Sequence, residues 1–319
     1  MRALMSICFA IAGATAASAA DGAAIGVVVE NDVLAGSDRD YTSGVKLAYV
    51  FPEGRHAGFA RVLLGARDDD RTRLSLGAGQ NLYTPEFYGV PSPPAGQHPY
   101  AGWLYADASL IVERRGGAVV DFLGASIGVV GPAALGEPTQ RTLHRITNDI
   151  EPLGWDNQLR NEPGVALSFD RQWRAFRDGA GKTEFEIAPF AGASAGNILT
   201  EARAGMTLRI GSGLAQDFGP LRVRSSIPSG GFGGRGGFSW SIFAGAAARA
   251  VARNIFLDGG TWRDSASVDK KALVGEFQAG LTMNFGKARL SYTQVLRTRQ
   301  YGTEPEGHGF GAVSLSASF

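Results

Sequence analysis

Gln140 and His144 stand four residues apart in the stretch Gly131 to Gln158, GPAALGEPTQRTLHRITNDIEPLGWDNQ. That spacing puts both side chains on one face of a helix. A positioned imidazole can take a proton from water, and a neighbouring amide or carboxylate can orient the ring; Gln140 lies one turn earlier, Asp149 and Glu151 just beyond. The same acids could instead share a metal with the imidazole, and a lone His on a short helix equally fits a purely structural role. A second cluster, Glu30-Asn31-Asp32 followed by Ser37-Asp38-Arg39-Asp40-Tyr41-Thr42-Ser43-Gly44, gathers acids and amides at one place in the chain. Hard divalent cations take several oxygen ligands from such groups, so Asp32 reads either as a calcium ligand or as part of a polar hairpin loop, without an EF-hand spacing to decide. Arg141, Arg145 and Arg160 flank the helical segment. Arginine forks match phosphate geometry, which suits either a phosphorylated lipid head group or a rim that faces anionic lipopolysaccharide.

Other chemistries are excluded or disfavoured. The only cysteine, Cys8, lies in the N-terminal segment MRALMSICFAIAGATAASAA, which reads as a signal peptide over residues 1–20 ending in Ala17-Ser18-Ala19. The exported chain, residues 21–319, then has no thiol nucleophile, disulfide or cysteine metal site. No GxSxG elbow occurs, so ester hydrolysis by water activated at a metal-polarised carbonyl is simpler than a serine nucleophile. With 31 basic and 30 acidic residues the bulk charge favours no nucleic acid, and no protein partner is indicated. Of the remaining histidines, His56 and His98 fall in loops and His308 near a rim.

The elements that must hold these residues are strands. No apolar run is long enough for a spanning helix, whereas alternation of period two recurs: Val313, Leu315, Ala317 and Phe319 interleave with Ser314, Ser316 and Ser318, and Val45, Leu47, Tyr49 and Phe51 with Lys46 and Ala48. Such runs are expected near residues 25–33, 42–51, 71–80, 101–113, 118–130, 163–174, 182–193, 201–211, 237–258 (as one strand or a hairpin), 272–285, 287–297 and 310–319. About twelve strands, an even number, suit an all-β transmembrane antiparallel β-barrel, in which closure satisfies every strand edge in lipid. The alternative, a soluble β-sandwich, lacks a two-sided core pattern. Residues 84–102 and 226–237 read as Pro- and Gly-rich loops, and the His-bearing helix as an insertion near the outer rim.

Taken with END near the N-terminus, DRDYTSG, QNLYTP at Gln80 to Pro85, PYAGWLY at Pro99 to Tyr105, GPAALGEPTQRTLHRI and GWDNQLRNE, the chain resembles the outer-membrane lipid A deacylases of the LpxR type, which remove 3'-O-linked acyl chains. The resemblance implies a twelve-stranded barrel with its site between the wall and a short helix, and calcium-dependent ester hydrolysis. By it, His144 activates water, Asn31 and Asp32 match the family's Asn-Asp pair with Asp32 on Ca2+, and Thr42 lines the pocket. The second acidic ligand falls to Asp149 or Glu151, which flank Ile150 at the expected place, and Gln97-His98 replaces the family's Asp-Arg. The function expected is hydrolysis of an acyl chain of lipid A in the outer leaflet, by a multi-pass protein of the bacterial outer membrane whose partner is lipopolysaccharide. The alternatives are an outer-membrane phospholipase and a non-enzymatic porin or scaffold. One geometric condition follows: neighbours on a strand point to opposite faces, so Asn31 and Asp32 serve one site only where the strand ends or bulges.

Overall fold

In the computed structural model, described over residues 22–35, 40–179, 183–216, 218–219 and 237–319, the alternating segments form one antiparallel sheet. Its strands are β1 (Ala24–Asn31), β2 (Asp40–Val50), β3 (Arg71–Thr84), β4 (Ala101–Arg114), β5 (Val119–Val130), β6 (Glu162–Trp173), β7 (Phe176–Asp178), β8 (Glu184–Gly196), β9 (Leu199–Gly211), β10 (Phe238–Asn254), β11 (Leu273–Phe285), β12 (Ala288–Arg297) and β13 (His308–Ser318). Sequential neighbours pair, β1 pairs β13, and β6 pairs β8 from Ala166↔Gly196 to Gln172↔Phe190, which closes a twelve-stranded barrel. The three-residue β7 is an extra edge piece on β8. Among the described residues three α-helices interrupt the strands: α1 (Ala57–Leu64), α2 (Gly136–Thr147) and the single turn α3 (Ile255–Asp258).

The period-two pattern sorts side chains to the two faces of the wall. Leu47, Leu76, Ile127, Val165 and Leu167 are exposed outward, while Lys46, Ser75, Asp107, Ser126 and Ser168 are buried inward. No helix among the described residues is long and apolar enough to cross a membrane; the strands make the crossing. Charged and polar side chains line the lumen around a cavity of about 940 Å³. Lys46 and Asp107 pair at 2.8 Å with both side chains fully buried. A ladder of alternating charge runs along the lumen side from Asp170 through Arg203, Glu201, Arg249 and Glu276 to Arg297. At the end of the barrel that carries α2, α3 folds over the mouth, where Phe256 stacks on Tyr83 with ring centres 4.0 Å apart and joins a buried cluster with Trp103 and Tyr105.

Two segments resolve what the alternation left open. Residues 237–258 form no hairpin: the Ala/Gly-rich run Ala244–Ala248 pairs without a break on both sides, so β10 continues to Asn254 before α3. Residues 51–70, left unassigned by the alternation, hold α1, whose Ala60 and Leu64 turn onto the wall. Residues 1–20, read from the sequence as a signal peptide, and most of the Gly-rich loop at 226–237 lie outside the described residues.

Strand directions place α1 and the chain's C-terminal end, where Phe319 N–H donates to the Ala23 carbonyl, at one end of the barrel. Asp32, the loop 85–100 and α2 lie at the other. Outer-membrane barrels carry their longer loops outside the cell, and the 31-residue connection 131–161 holding α2 marks the outer end.

Candidate active site

One row of the wall passes under the start of α2, where Leu82 and Gly102 lie against Gly136. Register places Asn31, Ser43, Leu82 and Gly102 side by side across β1 to β4, on the same face as the exposed Val45 and Leu47, so the row faces outward. β1 ends at Asn31, and Asp32 opens a 3-10 turn, Asp32–Ala35. The strand therefore stops where the adjacent pair requires it to. Asn31 is fixed at both ends of its amide, accepting from Val33 N–H (2.9 Å) and donating to the Thr42 carbonyl (3.1 Å). Thr42 occupies a bulge in β2, between Tyr41 and Ser43, and its hydroxyl meets that of Thr84 at 2.6 Å. Asp32 is fully buried.

The roof is α2, laid along the outside of the wall. Gly136, Gln140 and His144, four apart, form its buried stripe. Close approach depends on Gly136: a Cβ there would come within 2.5 Å of the Trp155 ring and 3.2 Å of Leu82. Gln80 from β3 donates to the Ala134 carbonyl (2.6 Å) and ties the helix entry to the wall. Glu137 in the first turn suits the helix dipole and pairs with Arg141 (3.0 Å). The helix stops at Asn148, which takes the left-handed conformation (φ 58°) that Asn tolerates at a C-terminus.

That stop turns the chain back under His144. The Ile150 carbonyl lies 2.5 Å from His144 Nδ1, and since a carbonyl only accepts, Nδ1 carries the proton and Nε2 keeps its lone pair. The orienting group is thus a backbone carbonyl at the position where an acid was expected. Tyr88 meets the imidazole edge-on at 5.5 Å. Gln140 Oε1 accepts from Trp155 Nε1–H (2.8 Å), which fixes the amide's orientation and leaves Nε2 as a buried donor with no acceptor among the described residues. Trp155, Tyr88, Tyr100 and Leu82 form the cluster beneath. The sequence reading named His144, Gln140, Asn31, Asp32 and Thr42; it missed Trp155, Tyr88 and Thr84, although an aromatic beside each turn of a His-bearing insertion was a usable signal.

Asp149 and Glu151 go elsewhere. Asp149 Oδ1 accepts from Ile150 N–H (2.7 Å), and Glu151, 61% exposed, pairs with Arg141 at 3.1 Å. Among the described residues no three His, Cys, Asp or Glu side chains group closely enough to hold a metal ion; Ser37 to Arg39, next to Asp32 in sequence, lie outside them. Phe87, Val90, Ile146, Ile150 and Leu153 are exposed around the helix, and Arg145 and Arg160 are exposed beside it.

The family model for "Outer membrane protein LpxR" matches residues 3–319. The chain belongs to the LpxR outer-membrane protein family. Among solved structures, this LpxR-family chain is similar to LpxR from Salmonella typhimurium, at 20% identity and a TM-score of 0.78 over 93% of this chain and all of that one. It is also similar to the β domain of the Bordetella autotransporter BrkA (10% identity, 94% and 100% covered, TM-score 0.46) and to the KdgM porin (8%, 93% and 99%, 0.40). No curated protein matches it in sequence. Membership and fold place the LpxR-family chain in the bacterial outer membrane as a multi-pass β-barrel.

Two predictions arise here. Trp155→Phe keeps the ring packing and removes the donor that holds Gln140; a lost neutral hydrogen bond is worth about 1 kcal/mol, so activity is expected to fall several-fold with heat-modifiable gel mobility unchanged. Away from the helix, His98 is buried against Tyr83, with stacked rings 5.5 Å apart. Burial pushes its pKa below the ordinary imidazole value, opposed by Asp40 and by the Pro99 carbonyl. With the folded value depressed, the unfolded loop binds the proton more readily, so the contribution to stability is complete above about pH 6.5 and declines as pH falls below it. Protease sensitivity of the loop 85–100 is expected to rise on acidification, and to rise less in His98→Gln.

Proposed function

We propose that the protein is a lipid A deacylase, hydrolysing the 3'-O-linked acyl or acyloxyacyl ester of lipid A in the outer leaflet with His144 as general base. The observation that carries this reading is the stripe of His144 and Gln140 held against the outward face of the wall, beside lipid rather than inside the lumen. A substrate that stays in the outer leaflet can reach α2 sideways, along the wall. The exposed Phe87, Val90, Ile146, Ile150 and Leu153 suit its acyl chains, and Arg145 and Arg160 its phosphates.

The step follows from the donors and acceptors available. Water attacks the ester carbonyl carbon as His144 Nε2 takes its proton; Nδ1–H remains on the Ile150 carbonyl, which stabilises the imidazolium that forms. Gln140 Nε2–H, a buried donor with no acceptor among the described residues, is the donor we assign to the oxyanion, and such preorganised donors are worth about 10²–10³ in rate. The bond from the acyl carbon to the sugar oxygen then breaks, the departing sugar oxygen takes the proton from Nε2 to become a hydroxyl, and the fatty acid leaves. Asn31 and Thr42, locked to each other and to Thr84, shape the opposite wall.

Calcium fits in kind at Asp32: a fully buried carboxylate beside amide and backbone oxygens is the donor set of a hard cation. Bound there, Ca2+ would polarise the ester carbonyl. Asp32 is the ligand proposed, and Asp149 and Glu151 rank behind it because both are exposed whereas Asp32 is buried.

The purified barrel, incubated with lipid A or with phosphatidylethanolamine in mixed micelles, tests the reading through the fatty acid released. Release from lipid A, abolished by a chelator and restored by Ca2+, is expected; release from the phospholipid alone would make the protein a phospholipase.

A further inference from the structure

The opposite end of the barrel carries a second outward-facing structure with no part in this chemistry. α1 folds back onto the outer face of the wall, where Ala60 and Ala66 pack on Val112 of β4 with Leu64 beside them. Val112 and Arg114 share the face of the exposed Leu104. Arg114 clamps the helix end by donating to the Leu64 carbonyl (2.5 Å) and the Asp70 carboxylate (3.0 Å). With its inner face committed, α1 turns Phe59, Val62 and Leu63 outward, 61%, 84% and 57% exposed. Left in water, three such side chains forgo the gain that burial of apolar surface brings.

What covers them follows from continuity with the lipid-facing wall. Ring contacts lead from Phe319 to Tyr49 (6.3 Å), Phe51 (4.9 Å), His56 (4.9 Å) and Phe59 (6.4 Å), from the wall onto the helix without a gap. The strand ends at the same level carry exposed Trp173, Phe185, Phe238 and Phe285, an aromatic girdle of the kind that marks a membrane–water interface. α1 therefore lies at head-group depth. Beside it opens a cleft of about 870 Å³ lined by Arg67, Arg114, Arg115, Arg171, Asp70 and Trp173, among others. Arg114 and Arg171 are each held by Asp121 at 2.6 Å. Arg67 and Arg115 are exposed and, among the described residues, form no ion pair with a carboxylate.

We propose that α1 and this cleft bind an anionic glycerophospholipid of the leaflet at the α1 end, with its phosphate between Arg67 and Arg115 and its acyl chains along Phe59, Val62 and Leu63. An arginine fork meets a phosphate with two parallel hydrogen bonds, and an amphipathic helix at the interface buries its apolar face among the acyl chains. The inference is independent of the deacylase reading.

The test uses the whole chain on a Cys8→Ser background, with Val62→Cys carrying an environment-sensitive fluorophore, folded into phosphatidylcholine vesicles containing phosphatidylglycerol. Val62 touches water or lipid only, so the label does not threaten folding. Acyl-brominated phosphatidylglycerol is expected to quench the label at least two-fold more than brominated phosphatidylcholine at equal mole fraction, aqueous iodide is expected to quench little, and Arg67→Glu with Arg115→Glu is expected to erase the difference between the lipids. Strong iodide quenching, no quenching by either lipid, or equal quenching by both that ignores the charge reversal would each overturn the site.

Discussion

His144→Ala is expected to leave a folded barrel that no longer releases fatty acid, with a loss of about 10²–10⁴-fold, the usual worth of a positioned general base. The fold should survive because nothing in barrel closure passes through α2: the wall is closed by β1–β13 and β6–β8 pairing and its lumen is lined by the charge ladder. What the substitution removes is the ring held between Tyr88 and the Ile150 carbonyl. Heat-modifiable mobility in gels reports the fold and fatty-acid release reports the chemistry. Loss of both together would make His144 structural. Asparagine is the informative second variant: it can donate to the Ile150 carbonyl but offers no basic nitrogen, so it is expected to be as inactive as alanine.

Gly136→Val is expected to cost nearly as much from a residue with no chemistry of its own. A Cβ at this position would meet the Trp155 ring at 2.5 and 2.7 Å, closer than packed carbon atoms approach, so either Trp155 or the start of α2 must move. Trp155 holds Gln140, and α2 holds His144, so each escape shifts a catalytic group away from the wall. A displacement near 1 Å costs about 10²-fold when reacting groups are prealigned. The expected signature separates it from His144→Ala: the residual activity keeps the pH dependence of the parent, because the base is still present. Activity within a few-fold of the parent would mean that α2 is not held where Gly136 and Trp155 place it.

The barrel was legible in the sequence because its physics is short-ranged. A residue such as Leu47 or Lys46 declares its face by its neighbours alone, and the strand alternation survives without knowledge of any partner. The same rule left two readings open at 237–258, where Ala and Gly pattern weakly and a hairpin could not be told from one long strand. It was silent over α1, whose apolar face turns outward at a membrane boundary, a context that local periodicity does not carry. At the site, the four-residue spacing of Gln140 and His144 held because helical periodicity is local too. The orientation of His144 was not legible: it comes from a backbone carbonyl, and every residue has one, so Ile150 gave no side-chain signal and attention fell on Asp149 and Glu151. The bulge that aims Thr42 at Thr84 depends on register between β2 and β3, which no single strand records.

The most direct measurement of the central claim is the mass of lipid A extracted from cells that carry hexa-acylated lipid A and express the protein or its His144→Ala variant. The account predicts that the parent removes one acyl or acyloxyacyl group from the 3' position and that the variant leaves lipid A intact at equal levels of folded barrel in the outer membrane. Unchanged lipid A with the folded parent protein, or the same deacylation by the variant, would contradict it.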